Sequence, residues 1–162
     1  MKSRLFEMTL IWGLLIPGSL VSAEDWPTWQ HDSRRSGFSS KTIDASSLGV
    51  EWTWQSAFPP EPAWHGPAKW DAYAKIRDLP SMRSYDLVFQ PVAASGRVFF
   101  GSTSSDTLYC LDAKTGETLW EFTTDGPIRI APSIANKRVF FGSDDGFVYC
   151  LTEEAGRLIW KF

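Results

Sequence analysis

Side chains able to do chemistry are few in this sequence and poorly spaced for it. The two histidines, His31 and His65, stand far apart in the chain. Zinc needs a converging set of His, Cys or carboxylate ligands, and no such set is legible. Asp144-Asp145-Gly146 puts two acids side by side, but calcium demands a full oxygen shell; the triplet reads as a hairpin turn. Ser102, Ser104, Ser105 and Ser143 lie at strand ends with no base beside them, so none is an activated nucleophile. No Gly-rich phosphate cradle is present. The expectation is therefore no catalytic residue, no cofactor contact and no metal ligand.

The residues best placed to meet a ligand or partner are Trp64, His65 and Trp70, in a Pro-rich stretch, 55–86. It carries Pro59, Pro60, Pro62, Pro67 and Pro80 and is longer than an ordinary turn. A short helix over 69–78 is feasible. The stretch either caps a face and offers these rings outward or packs them on the sheet below. Cys110 and Cys150 hold the same place in two repeated units and are expected on corresponding strands of neighbouring sheets. Such positions should lie beyond the roughly 7 Å that a disulfide spans between α-carbons. Buried free thiols are expected, with a disulfide as the alternative.

Lys2 and Arg4, the apolar run Met8 to Val21 and Val21-Ser22-Ala23 have the layout of a secretory leader, 1–23, cut after Ala23. The run is shorter than the roughly 20 residues of a spanning helix, so no integral membrane segment is expected after the leader. The protein is expected to be exported to the periplasm or the extracellular space. Removing Lys2, Arg4 and Glu7 changes 16 basic and 19 acidic residues to 14 and 18, a net charge of -4. A mildly acidic chain without a basic cluster offers nucleic acid no grip.

The elements that must position anything are announced by a repeat. RVFFGSTSSDTLYCLDAKTGETLWEF (97–122) returns as RVFFGSDDGFVYCLTEEAGRLIWKF (138–162), with 12 identities in 25 aligned positions. Short runs of β-branched and aromatic residues, punctuated by Asp125-Gly126-Pro127, Asn136-Lys137, Asp144-Asp145-Gly146 and Ala155-Gly156, are strands and turns. The expected strands are 87–94, 97–102, 107–111 and 117–122, then 128–135, 138–143, 147–151 and 157–162. Apolar groups on both faces oblige each sheet to stack on another, and radial stacking of four-stranded sheets is the propeller solution. A two-sheet sandwich is the alternative; it leaves the fixed recurrence of Trp120 and Trp160 after a Gly unexplained.

The segment Cys110 to Trp120 resembles the tryptophan-docking repeat of the pyrroloquinoline quinone (PQQ) type β-propellers. In that family Asp, Thr and Gly organise the turn between the third and fourth strands, and Trp packs on the neighbouring blade. The resemblance assigns these roles to Asp112, Thr115, Gly116 and Trp120. The later copy keeps Gly156 and Trp160 but has Thr152 and Ala155 in place of the Asp and Thr, so its turn should be less firmly hydrogen-bonded. Weaker likeness extends to 25–39 and to the strand-like 48–54.

The expected organisation is a leader (1–23), a lead-in (24–47), an N-terminal strand (48–54), an insertion (55–86) and blades at 87–122 and 123–162. The fold is all-β, a partial β-propeller of two complete four-stranded antiparallel blades plus that strand. Two blades do not close a ring, so a truncated or divided propeller is expected, completed by missing blades or a protein partner. A homo-oligomeric ring is the less favoured alternative. The dehydrogenases of the family use calcium, a catalytic Asp and a disulfide between adjacent cysteines, and no Cys-Cys pair occurs here. The expected function is thus non-catalytic interaction or scaffolding, similar to the lipidated outer-membrane assembly member of the family. A quinoprotein dehydrogenase fragment is the alternative.

Overall fold

The computed structural model describes residues 24–59 and 89–162. The leader, most of the Pro-rich stretch, the helix considered over 69–78, and Trp64, His65 and Trp70 lie outside the described residues.

Eight strands form two antiparallel four-stranded sheets, each in simple meander order. The earlier blade comprises β1 (Val92–Ala94), β2 (Arg97–Gly101), β3 (Thr107–Asp112) and β4 (Thr118–Thr123). The later blade comprises β5 (Ser133–Ala135), β6 (Arg138–Gly142), β7 (Val148–Thr152) and β8 (Leu158–Lys161). This is an open, partial propeller. The only helical element among the described residues is a 3-10 turn, Ala45–Ser47, with Asp44 Oδ1 accepting from the Ser46 backbone N–H at 2.9 Å.

The turn chemistry explains the meander. Each innermost hairpin closes through two residues with positive φ, Ser95-Gly96 (52° and 72°) in one blade and Asn136-Lys137 (51° and 59°) in the other. Both-positive two-residue turns match the right-handed twist of the strands they join. The β3–β4 and β7–β8 pairs each slip register at one place, Cys110/Leu111 and Cys150/Leu151. A bulge repeated at the same position in both copies is a built feature of the outer strand.

Two expectations need correction. The innermost strands are three residues long, where 87–94 and 128–135 were expected. Pro91 and Pro132 precede them closely, and proline cannot donate to a ladder. Upstream of Pro132, the Ile128 N–H turns to the Ser102 carbonyl at 3.4 Å and the Ala131 N–H to the Gln90 side chain at 3.1 Å. Nor is 48–54 a strand. Its burial alternates over 51–56 as in an extended chain, but it has no ladder partner among the described residues.

The core runs through both sheets: Val92, Phe99, Leu108 and Cys110 from one, Val139, Phe141, Tyr149 and Leu151 from the other, and Ile128 of the connecting segment between them. Both cysteines are free and buried.

Candidate functional site

The site that the fold builds is a set of seats for aromatic side chains. In the β3–β4 turn, Asp112 Oδ1 accepts from the Lys114 and Thr115 N–H groups at 2.8 and 2.9 Å. The Gly116 N–H donates to the Asp112 carbonyl at 2.9 Å, and the Glu117 N–H to Thr115 Oγ1 at 3.3 Å. The bonds from Thr115 first and then Lys114 hold the Asp112 carboxyl below its ordinary value. The turn leaves Gly116 at φ +72° with a bare α-carbon facing outward, and the indole of Trp52 lies on it. A β-carbon there would stand 2.6 Å from the ring, and Trp52 Nε1 donates to the Ala113 carbonyl at 3.0 Å.

The later blade repeats the seat. Gly156, at φ +61°, lies beneath Trp120, whose ring would be 2.5 Å from an added β-carbon. Trp120 Nε1 donates to the Glu153 carbonyl at 3.0 Å. Here Thr152 Oγ1 accepts only from the Arg157 N–H at 3.0 Å, where Asp112 accepts twice. Ala155, in the place of Thr115, has no hydroxyl to contribute.

Two residues after each indole, a second aromatic side chain docks. Trp54 lies against Phe89, Phe100 and Tyr109, with ring centroids 5.6, 4.8 and 5.1 Å away. Phe122 lies against Phe141 and Tyr149 at 6.2 and 5.7 Å. Each receiving pair is itself stacked, Phe100–Tyr109 at 5.4 Å and Phe141–Tyr149 at 5.2 Å. Trp52 and Trp54 thus do for the earlier blade what Trp120 and Phe122 of β4 do for the later one. Sequence reasoning marked 48–54 as a strand and missed this role. The signal was the triplet Trp-x-aromatic at 52–54, 120–122 and 160–162.

The third such triplet has no seat among the described residues. Trp160 packs on Phe140 of its own sheet at 6.1 Å, as Trp120 packs on Phe99 at 5.8 Å. Trp160 is 40% exposed, and Phe162 is 91% exposed.

The lead-in has a job the sequence did not disclose. Trp26 exchanges two backbone hydrogen bonds with Ala93 of β1, at 2.6 and 2.9 Å, and the Pro27 carbonyl accepts from the Ile134 N–H of β5 at 2.7 Å. The segment therefore ties together the inner edges of both blades. Beyond it the chain turns through Gln30, His31 and Arg35, all at positive φ. His31 tilts against Trp26 at 4.7 Å, and its Nε2 is 3.5 Å from Glu24.

Groups considered for chemistry do not converge. Asp144 pairs with Arg129 at 2.6 Å, and Asp145 accepts from the Tyr149 hydroxyl at 2.5 Å. Burial raises the Asp145 carboxyl, but the bonds from Tyr149 and from the Phe147 N–H outweigh it and hold the group low. Ser105 meets the Tyr109 hydroxyl at 3.2 Å, and Ser143 donates to the Gly126 carbonyl at 2.8 Å; neither faces a base. Among the described residues no three His, Cys, Asp or Glu side chains gather as a metal site, and no helix is long and apolar enough to cross a membrane.

With this geometry in hand, comparison with known proteins is decisive for the family. A PQQ-like repeat model, described as outer membrane protein assembly factor BamB, matches residues 42–162. The chain belongs to this family of PQQ-like propellers. Over 81 residues this propeller chain is 33% identical to the quinoprotein ethanol dehydrogenase of Pseudomonas aeruginosa, covering 44% of this chain and 13% of that one. Over 86 residues it is 36% identical to the dehydrogenase subunit of the quinone alcohol dehydrogenase of Gluconobacter oxydans, covering 42% and 11%. The matched stretch is thus only 13% and 11% of these relatives' own length. The solved quinohemoprotein alcohol dehydrogenase of Comamonas testosteroni shares the fold at a TM-score of 0.58, over 86% of this chain and 19% of that one, at 17% identity.

These relatives overturn the expectation of a non-catalytic scaffolding protein and the assignment as a non-enzyme. That reading treated the missing Cys-Cys pair and the unclosed ring as evidence against catalysis. So small a matched share leaves room for catalytic groups elsewhere in such proteins, so their absence from this stretch does not bear on the activity.

Proposed function

We propose that the chain forms two consecutive blades of a propeller of the quinoprotein alcohol dehydrogenase type, the class that oxidises alcohols with a bound quinone. The observation that carries this reading is the identity of 33–36% to such dehydrogenases over 81–86 residues. Export by the leader, with work outside the cytoplasm, belongs to the same reading.

The described residues do not fit the quinone or its calcium. Cys110 and Cys150 are fully buried in separate sheets, so no adjacent pair faces a cofactor. Asp112 caps a turn, Asp144 pairs with Arg129, and among the described residues no three His, Cys, Asp or Glu side chains gather as a metal site. The contribution of these blades is positional: they hold a sector of the ring wall at fixed pitch through the seats at Gly116 and Gly156. Substrate and cofactor contacts fall to other parts of such an enzyme.

A chimera tests this reading. The matched stretch of the Pseudomonas ethanol dehydrogenase is replaced by the corresponding residues of this chain, loaded with PQQ and calcium, and assayed for dye-coupled ethanol oxidation. Retained turnover is the expected result. A folded chimera that takes up no PQQ would refute the reading.

A further inference from the structure

The two seats differ at a position where the fold itself requires no difference. Ala113 in the earlier blade and Glu153 in the later one make the same backbone bonds. The Ala113 N–H donates to the Gly96 carbonyl and the Glu153 N–H to the Lys137 carbonyl, each at 3.0 Å. The Ala113 carbonyl accepts from Trp52 Nε1 and the Glu153 carbonyl from Trp120 Nε1, again at 3.0 Å. Alanine therefore suffices to build a seat, and the Glu153 carboxylate is an addition to it. That carboxylate is withdrawn from water: its side chain is 6% exposed. A buried charge is costly unless it is both paired and hydrogen-bonded.

The opposite charge comes from the neighbouring blade. Arg97, at the start of β2, brings Nη1 to 3.8 Å from Glu153 Oε1. The charges attract at that distance, but the gap exceeds the roughly 2.7–2.9 Å of a charge-assisted hydrogen bond. Arg97 Nε and Glu153 Oε1 are both buried without a hydrogen-bond partner among the described residues. Arg97 and Glu153 line a cleft of about 210 Å³ between the blades, and Ser95, Lys137 and Glu154 line it with them. The last three are exposed and form its rim. At about 30 Å³ per water the cleft has room for about seven waters, more than a single bridging water takes. Its buried part sets one cation beside one anion, and Lys137 and Glu154 repeat that pairing at the rim.

From this geometry we infer that the junction between the blades binds a small zwitterion, a free α-amino acid. Its carboxylate lies on Arg97 and Lys137, and its ammonium lies on Glu153 and Glu154. The carboxylate accepts from the Arg97 Nε–H and the ammonium donates to Glu153 Oε1, so one molecule satisfies both groups. A plain anion would meet two carboxylates, and a plain cation would meet Arg97 and Lys137; like charges set together are costly. A neutral polyol brings hydrogen bonds without charge, and charge-assisted bonds are roughly twice as strong. The cleft is smaller than the roughly 300–1,000 Å³ of sites for drug-sized ligands, which selects amino acids with short side chains. Both walls belong to the two described blades, and the site uses neither quinone nor alcohol, so it is independent of the dehydrogenase reading.

Titration calorimetry of the full chain with glycine and with L-alanine is the test. Both should give saturable heat with a Kd of about 1 mM or tighter, the weak end of the affinity scale. N-acetylglycine lacks the ammonium and glycinamide lacks the carboxylate, so each should bind at least about tenfold more weakly. Glycerol should not compete. Glu153→Ala, the side chain that the earlier seat already carries at Ala113, should keep a cooperative melt and bind glycine at least about tenfold more weakly. Glu153→Gln keeps the shape without the charge and should weaken glycine in the same direction. A parent that gives no saturable heat up to about 10 mM would overturn the inference and leave Arg97 and Glu153 as a structural clamp between the blades. So would glycerol or N-acetylglycine binding as well as glycine, or unchanged glycine binding by a folded Glu153→Ala.

Discussion

The indole of Trp120 rests on the α-carbon of Gly156 while its Nε1 donates to the Glu153 carbonyl, so one side chain joins the outer strand of one blade to a turn of the next. Replacing Trp120 by Ala removes that hydrogen bond and the ring contact with Phe99 and leaves a void between the sheets. The expected loss is about 3 kcal/mol, a fall in melting temperature on the order of 10 °C for a domain of this size. Thr152→Ala loses one exposed hydrogen bond, to the Arg157 N–H, and should cost about 1 kcal/mol or less. Thermal melts of the two variants check the ranking; the reverse order would refute the role given to Trp120.

Gly101 and Gly142 end the same pentapeptide, RVFFG, in β2 and β6, and sequence alone makes them equivalent. Their surroundings differ. Ile128 covers Gly101, and an added β-carbon would overlap it, whereas the space over Gly142 is open. Gly101→Ala should therefore destabilise by about 1–3 kcal/mol through overpacking, and Gly142→Ala should fall within about 0.5 kcal/mol of the parent. Chemical denaturation of the pair measures the contrast directly.

That contrast marks the boundary of what the sequence makes legible. Strands are readable because Val-Phe-Phe and Tyr-Cys-Leu runs alternate with turn residues that accept positive φ, so the repeat discloses eight strands and both sheets. The seats at Gly116 and Gly156 are readable as spacing, because a tight turn followed by Trp recurs at a fixed interval. What occupies each seat is not readable as a strand, since Trp52 docks through its ring while its backbone joins no ladder. The pairing of Trp26 with Ala93 is backbone to backbone across distant parts of the chain, and side-chain patterns carry no trace of it. The short inner strands were misjudged as 87–94 and 128–135, although Pro91 and Pro132, which donate nothing to a ladder, stand just before β1 and β5. The dehydrogenase resemblance was legible only as the alternative, because the chain has no adjacent cysteine pair to set beside its blade motif.

Asp112 gives the earlier turn a pH dependence that the later turn, with Thr152, lacks at that position. Hydrogen bonds from Thr115 and Lys114 depress the folded-state value of Asp112 below its ordinary 3.8. A depressed carboxyl contributes stability above its unfolded value and loses it as pH falls through the folded one. Asp112→Asn retains a side-chain oxygen to accept the same N–H groups but cannot ionise. The stability difference between parent and variant should be steady above about pH 5 and shrink as the pH falls below 3.8. A series of acid-range melts tests this, and a difference that holds constant to pH 2 would remove Asp112 from the account.

At the alkaline end the sign reverses. Burial pushes the Cys110 thiol up to about 12, and burial together with the bond to Asp145 pushes the Tyr149 hydroxyl up to about 12. Both groups are held in their neutral forms, so their stability is complete below the unfolded values of 9.0 and 10.0 and is lost as pH rises towards 12. The thiolate is the reactive form, and a buried neutral thiol is inert. At pH 8 a thiol reagent should therefore find neither Cys110 nor Cys150 in the native protein, since both are fully buried, and should find both in denaturant. Reaction should begin under native conditions only as the alkaline transition opens the sheets. Fast labelling of Cys110 at pH 8, in a protein whose circular dichroism is unchanged, would place that strand outside the core.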